Sequence, residues 1–227
     1  MSHATAMPHA PVSHGHPAAP DSLALLLRER TAEAHARAER HPQQGRLVKG
    51  LCTKPDYAAW LGQMLPIWHA LDEGLGLLAS RDPRVRAMLR DYHAHAGRIR
   101  DDLRYLGEQE PAPLPATRHF ESLVRSLAAG PGIVGVWYVL EGSSNGGRYI
   151  ARAVSRALHL PGPDGLRGLD PHGEAQHERW GRWKADLDSQ LWSHADQDAI
   201  VRAAVQTFDH VFDVLSDIEA ARPVSAS

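Results

Sequence analysis

Apolar residues along this chain recur three and four positions apart, and runs of β-branched residues bounded by turns are missing, so the pattern from Asp21 onward predicts an all-α fold. A first helix is predicted from about Ser22 to Arg40, with Asp21 or Ser22 as cap and Pro42 closing it. Thr53-Lys-Pro-Asp56 joins a cap, a proline in the first turn and an acid three residues on. It predicts a second helix reaching about Ala79, kinked at Pro66. Asp82-Pro83 opens a third, from Arg84 to about Leu106, and Glu110 to Pro115 reads as a linker. A short fourth follows from about Thr117 to Ala129, and a long fifth from about Gly132 to Leu160. Two more are predicted, from about Glu174 to Trp192 and from Asp196 to Ala220. Val201, Ala204, Val205, Phe208, Val211, Phe212 and Leu215 form one stripe on the last, as on a helix packed against a core.

At 227 residues the chain holds one core of ordinary size. The expected organisation is a single domain over 21–222. Residues 1–20, rich in Pro, Ala and His, lack large apolar groups and are expected to be disordered, as are 223–227. His3, His9, His14 and His16 in the first stretch read as a biased solvated tail. A formal charge of -2 with scattered cations gives no footprint for nucleic acid. Cys52 is the only cysteine, which excludes an intramolecular disulfide and a cysteine-rich metal site and fits a reducing, cytoplasmic setting. No apolar run approaches the roughly 18 residues of a membrane span, and no secretory leader is indicated.

Two features carry chemistry. His35 and Glu39 are four apart in Thr31-Ala-Glu-Ala-His35-Ala-Arg-Ala-Glu39, so one helical face presents both. There the carboxylate can accept from imidazole Nδ1–H and leave Nε2 free for a metal, and small alanines at 34, 36 and 38 admit a flat macrocycle. The same pair also reads as an ordinary surface contact. The second feature is Gly142-Ser-Ser-Asn-Gly-Gly147 inside the fifth helix, where each glycine costs about 1 kcal/mol relative to alanine. Bare backbone could lie over a flat ligand there. A tight helix crossing, or two helices joined by a loop, would explain it equally.

The stretch Leu27-Arg-Glu-Arg-Thr-Ala-Glu-Ala-His35-Ala-Arg-Ala-Glu39 resembles the proximal helix of haem oxygenases, and Tyr138-Val-Leu-Glu-Gly-Ser-Ser-Asn-Gly-Gly-Arg148 resembles their distal helix. Tyr57 to Leu71 and the stretch from Thr207-Phe208 onward resemble the family's second and final helices, so the likeness covers about 22 to 220 and is closest to bacterial members found beside bacteriophytochromes. It implies a multi-helix bundle with His35 as ligand of the haem iron and Glu39 orienting it. Gly142 and Gly146 match the glycines whose backbone lies over the haem. Arg28 matches a basic partner of a haem propionate, Trp137 falls near a tyrosine that holds one, and Arg179, Arg182 and Lys184 are candidates for further propionate contacts. Ser143 stands where animal members carry an aspartate that organises water. The implied activity is ring opening of haem, both cofactor and substrate, by O2 to biliverdin, carbon monoxide and ferrous iron. Electrons would come from a separate reductase or ferredoxin, and a biliverdin-using bacteriophytochrome would be a downstream partner.

Two other readings stand beside this. One is a haem carrier or sensor on the same fold, motivated by Ser143 and Asn145. The other is a non-haem di-iron protein, for which only Glu174-Ala-Gln-His177 has the required spacing. The remaining histidines have structural readings: His93 and His95, two apart, cannot share a helical face, and His69, His119, His159, His194 and His210 read as surface or satisfied core residues. Trp180, Trp183 and Trp192 read as packing.

Overall fold

The computed structural model describes residues 22–222, so the expectations for 1–20 and 223–227, and Asp21 as a cap, lie outside the described residues. Among the described residues there are nine α-helices and two 3-10 turns and no strand. Helix α1 spans Leu23–Glu39 and is capped by Ser22, whose Oγ accepts from the Leu25 amide. Asp188, at the far end of the chain, accepts from the Ser22 hydroxyl at 2.7 Å and the Ala24 amide at 2.9 Å, tying the start of α1 to the end of a later helix.

Pro42 does more than follow α1. It opens an additional helix, α2 (Pro42–Lys49), capped by His41, whose Nδ1 accepts from the Gln43 amide. A proline three residues past a helix end reads as a stop, and the histidine cap is why it also serves as a start. Helix α3 (Lys54–Arg81) has the expected reciprocal cap between Thr53 and Asp56 and passes through Pro66 without interruption.

The predicted third helix is three pieces: α4 (Pro83–Met88), a 3-10 turn over Asp91–His93, and α5 (Ala96–Tyr105). The break has a physical cause. Asp72 on α3 accepts from the backbone amides of His95 at 3.0 Å and Ala96 at 2.9 Å, capping α5 from across the core. This non-local cap starts a fresh helix, and it turns both His93 and His95 inward, where they are 3% and 1% exposed. The face argument for these two histidines assumed one helix and does not apply.

Helix α6 (Pro115–Leu127) follows the linker, and α7 (Gly132–Leu158) runs continuously through the glycine-rich stretch, so the two-helix reading is overturned. His159, with φ 54°, ends α7 in the left-handed region. A second 3-10 turn, Gly173–Ala175, leads into α8 (Gln176–Asp188), shorter than expected because Trp192 folds back to donate its indole N–H to the Leu187 carbonyl. Helix α9 (His194–Ala221) begins with a Ser193/Asp196 capping box and closes the fold.

Helices α7 and α9 form the central pair, with α1 on α9 and α3 against α5 and α6. Their crossing is close enough that a Cβ on Gly135 would lie 2.1 Å from the Ile200 carbonyl oxygen. Gly146 is the opposite case, with nothing within 4 Å of such a Cβ. In urea unfolding of the ligand-free protein, Gly135→Ala should therefore lose about 1–3 kcal/mol through overpacking against backbone, whereas Gly146→Ala should gain up to about 1 kcal/mol from helix propensity. Equal effects at both positions would contradict this account of the crossing.

Candidate functional site

A cavity of about 650 Å³ opens between α1, α7 and α9, with α3 and α8 contributing to its sides. Arg28, Thr31, Ala32, His35, Ala38 and Glu39 come from α1 at positions three and four apart, the spacing of one helical face. The facing wall is α7, from Tyr138 to Ile150, and includes the whole of Gly142–Gly147. Apolar groups fill in the rest, among them Trp68 from α3, Trp180 from α8, and Phe208 and Leu215 from α9. Gly146 leaves bare backbone on the cavity, while a Cβ on Gly147 would meet the Leu169 carbonyl oxygen at 2.1 Å. The two explanations of the glycine run thus divide between neighbours: one glycine faces open space and the next permits a backbone contact. A Cβ on Gly142 would lie 3.3 Å from the Trp180 ring.

His35 and Glu39 share the cavity face, but not in the expected arrangement. Nε2, not Nδ1, is nearest the carboxylate, at 3.6 Å from Oε1, too long for a hydrogen bond. Both side chains are more than half exposed, and the imidazole meets Phe208 edge to face at 5.3 Å. In the ligand-free chain the pair is therefore a loose i, i+4 contact.

The cation and aromatic expectations divide as well. Arg28 lines the cavity and is the one arginine or lysine among the described residues that does. Trp137 does not: it is fully buried, packed at 4.8 Å on His93 and 5.3 Å on Trp183. Its neighbour Tyr138 takes the cavity position, one helical step round. Burial pushes the Tyr138 phenol up, opposed by Thr31 and the Arg28 charge. Arg179 is turned away from the cavity, over the Tyr92 ring at 4.3 Å. Arg182 is exposed, and Lys184 lies over the Trp180 ring at 5.6 Å, and none of these three is among the residues of the cavity wall. The position of α8 in chain order gave no means of phasing its cations.

A buried cluster behind the α7 wall went unread in the sequence. His95, Glu141 and His172, each no more than 7% exposed, bring one ligand-type atom apiece within 4.8 Å of one another. Glu141 sits at the centre, 3.0 Å from His95 Nε2 and 2.6 Å from His172 Nε2. Arg179 contacts His172 Nδ1 at 2.9 Å, and a guanidinium can only donate, so Nδ1 accepts and Nε2 carries the proton. That protonation directs the Nε2–H at the carboxylate and leaves no lone pair there for a metal. The cluster is a carboxylate held by two imidazole donors. Burial pushes the Glu141 carboxyl up, but the hydrogen bonds from His172 and His95 outweigh it and hold the group well below the usual carboxylate range. Glu174 and His177, the pair with di-iron spacing, are both exposed and belong to no such group among the described residues.

The chain belongs to the haem oxygenase family, whose model, described as Heme oxygenase, matches residues 21–217. No curated protein matches the chain. Among solved structures, heme oxygenase from Leptospira interrogans is 23% identical with a TM-score of 0.78, covering 86% of this chain and 98% of its own. Heme oxygenase-1 from the cyanobacterium Synechocystis sp. PCC6803, solved in complex with heme, is 20% identical with a TM-score of 0.78, covering 88% and 93%. A domain of unknown function from Shewanella denitrificans with a heme oxygenase-like fold is 16% identical with a TM-score of 0.67, covering 87% and 92%. At these identities the likeness establishes the fold.

Burial holds His93 neutral and pushes its pKa down to about 4. The unfolded chain then binds more protons between about 4 and 6.5, so this contribution to stability is complete above 6.5 and is lost as pH falls toward 4. His93→Asn, which keeps an acceptor for the Arg90 amide that Nδ1 now takes, should lose less stability than the wild type over that interval in urea titrations. Parallel pH profiles would remove His93 from the explanation.

Proposed function

We propose that this protein is a haem oxygenase, opening haem to biliverdin, carbon monoxide and ferrous iron with O2 and electrons from an external reductase or ferredoxin. The observation that carries the reading is the pairing of His35 on one wall of the cavity with the bare backbone of Gly146 on the other. The cavity suits a large, flat, mostly apolar group with an anionic edge: its walls are helix faces and aromatic rings, and its fixed positive charge is Arg28. Bound haem would supply the iron that activates O2 and the carbon skeleton that is oxidised.

The chain's own residues would then act as follows. His35 would hold the iron, with Glu39 in position to orient the imidazole. Arg28, with the Tyr138 hydroxyl beside it, would take a propionate and so set the in-plane orientation. Gly142 and Gly146 would admit the macrocycle close to α7 without side-chain intrusion, and the surrounding Trp68, Trp180, Phe208 and Leu215 would exclude water from its apolar faces. Ser143 donates its hydroxyl to the Leu140 carbonyl at 2.6 Å, so its proton is committed to the helix and proton supply would pass through solvent. Among the described residues no helix is long and apolar enough to cross a membrane.

That same Ser143 bond favours a second reading, a haem carrier or sensor that lacks turnover. Reductant and oxygen decide between the two. Purified protein loaded with hemin should lose its Soret band and gain biliverdin absorbance when ascorbate or a ferredoxin system is supplied in air, and a persistent Soret band would favour the carrier.

His35→Ala should still take up porphyrin, because the apolar faces and the Arg28 contact do not depend on the iron bond. Its spectrum should lose the imidazole-ligated form and turnover should collapse, with added imidazole restoring part of both. Gly146→Leu should depress turnover far more than haem affinity. Should His41→Ala or His69→Ala abolish the imidazole-ligated spectrum while His35→Ala leaves it intact, the assignment of the iron ligand fails.

A further inference from the structure

Asn145 lies on the cavity wall between the two glycines that would lie over the haem, and its amide is held from both sides. Nδ2 donates to the Gly142 carbonyl at 2.8 Å, one turn back along α7. Oδ1 accepts from Gln176 Nε2 at 3.3 Å, reaching across from the first residue of α8. These two contacts fix which end of the amide is which, since reversing it would set oxygen against the Gly142 carbonyl and NH2 against the glutamine NH2. Gln176 is itself buried at 4% exposure, and its own carbonyl oxygen Oε1 has no partner. A buried amide that leaves one atom unsatisfied is costly to keep, and the contact it does make is the one that orients Asn145.

The consequence is chemical. An amide nitrogen carries two hydrogens, and the Gly142 carbonyl uses one. Of the two serines on this part of the wall, Ser144 is buried at 4% exposure, and Ser143 has a single hydroxyl proton that the Leu140 carbonyl takes. Asn145 therefore keeps an uncommitted N–H on a residue that lines the cavity, beside the bare backbone of Gly146.

We propose that Asn145 is the hydrogen-bond donor this chain offers to a diatomic ligand on the open face of the haem, and that Gln176 is the positioning residue that keeps its NH2 in the donating orientation. The inference rests on the haem reading above. It makes the distal wall of this chain electrostatically active at a side chain, where bare backbone alone would discriminate by shape.

The carbon monoxide complex of the ferrous haem protein gives a readout independent of turnover, because a donor near the ligand oxygen lowers the C–O stretching frequency. Asn145→Leu, similar in shape without a donor, should shift that frequency upward and speed O2 dissociation about fivefold, the scale of one lost hydrogen bond. Gln176→Glu should shift it the same way, because a carboxylate facing Oδ1 reverses the asparagine amide and turns its oxygen to the cavity. Circular dichroism of the apo protein checks folding, and Asn145→Asp, which keeps the acceptor for Gln176 and removes the donor, serves if the leucine variant does not fold. An unchanged stretch in the folded Asn145 variant overturns the donor assignment, and an unchanged stretch in Gln176→Glu alone overturns the positioning role. A wild-type protein with no Soret band after hemin addition overturns the haem reading and this inference with it, whereas a normal Soret band with an unmoved stretch overturns the inference alone.

Discussion

A helix can present bare backbone to a cavity only if its other faces are gripped firmly enough to offset what the glycines cost it. In α7 the grip is a series of close backbone approaches and one buried charge. Gly135 brings it against the α9 backbone at Ile200, and Gly147 brings it against Leu169. Between them Glu141 projects to the side away from the cavity and is held by His95 and His172, which come from two different connections. Each glycine gives up about 1 kcal/mol of helix propensity, and an unpaired buried carboxylate would cost several more. With both donors in place, these elements instead set the rotation of α7, and that rotation puts Gly142 and Gly146 on the cavity that His35 also lines.

The same arrangement redistributes positive charge. Arg179 is three residues past the start of α8, and the family resemblance makes it a candidate partner for a propionate. It is used instead to fix the protonation of His172 and through it to compensate Glu141. Arg28 is left as the fixed cation on the cavity wall. A ligand with two carboxylates on one edge therefore meets one strong anchor plus hydroxyl donors, and its orientation depends on α1 more than on α8.

Local chemistry wrote much of the fold into the sequence. Thr53 with Asp56 and Ser193 with Asp196 start their helices where side chains within four residues dictate it, and the α1 face from Arg28 to Glu39 was legible because its period is that of the helix itself. What could not be read there depends on contacts distant along the chain. Asp72 breaks the predicted third helix by capping residues more than twenty positions away. The exchange of Tyr138 for Trp137 on the cavity turns on a rotation of α7 set by Gly135 and Glu141. The glycine run was recognised as unusual, but which glycine faces the cavity and which faces Leu169 is decided by a loop that no period predicts. The orientation of the His35 ring likewise depends on Phe208, more than 170 residues later.

Two of the helices that line the cavity come from opposite ends of the fold. Helix α1 lies on α9, Asp188 fastens its first turn, and Phe208, Val211, Val214 and Leu215 complete the pocket around His35. During synthesis the first helix leaves the ribosome long before any of these partners exist. His35 is therefore made early and stays without a pocket until the final helix has emerged and docked. A nascent chain has no such cavity, so whatever ligand the cavity takes can be enclosed only by a finished molecule.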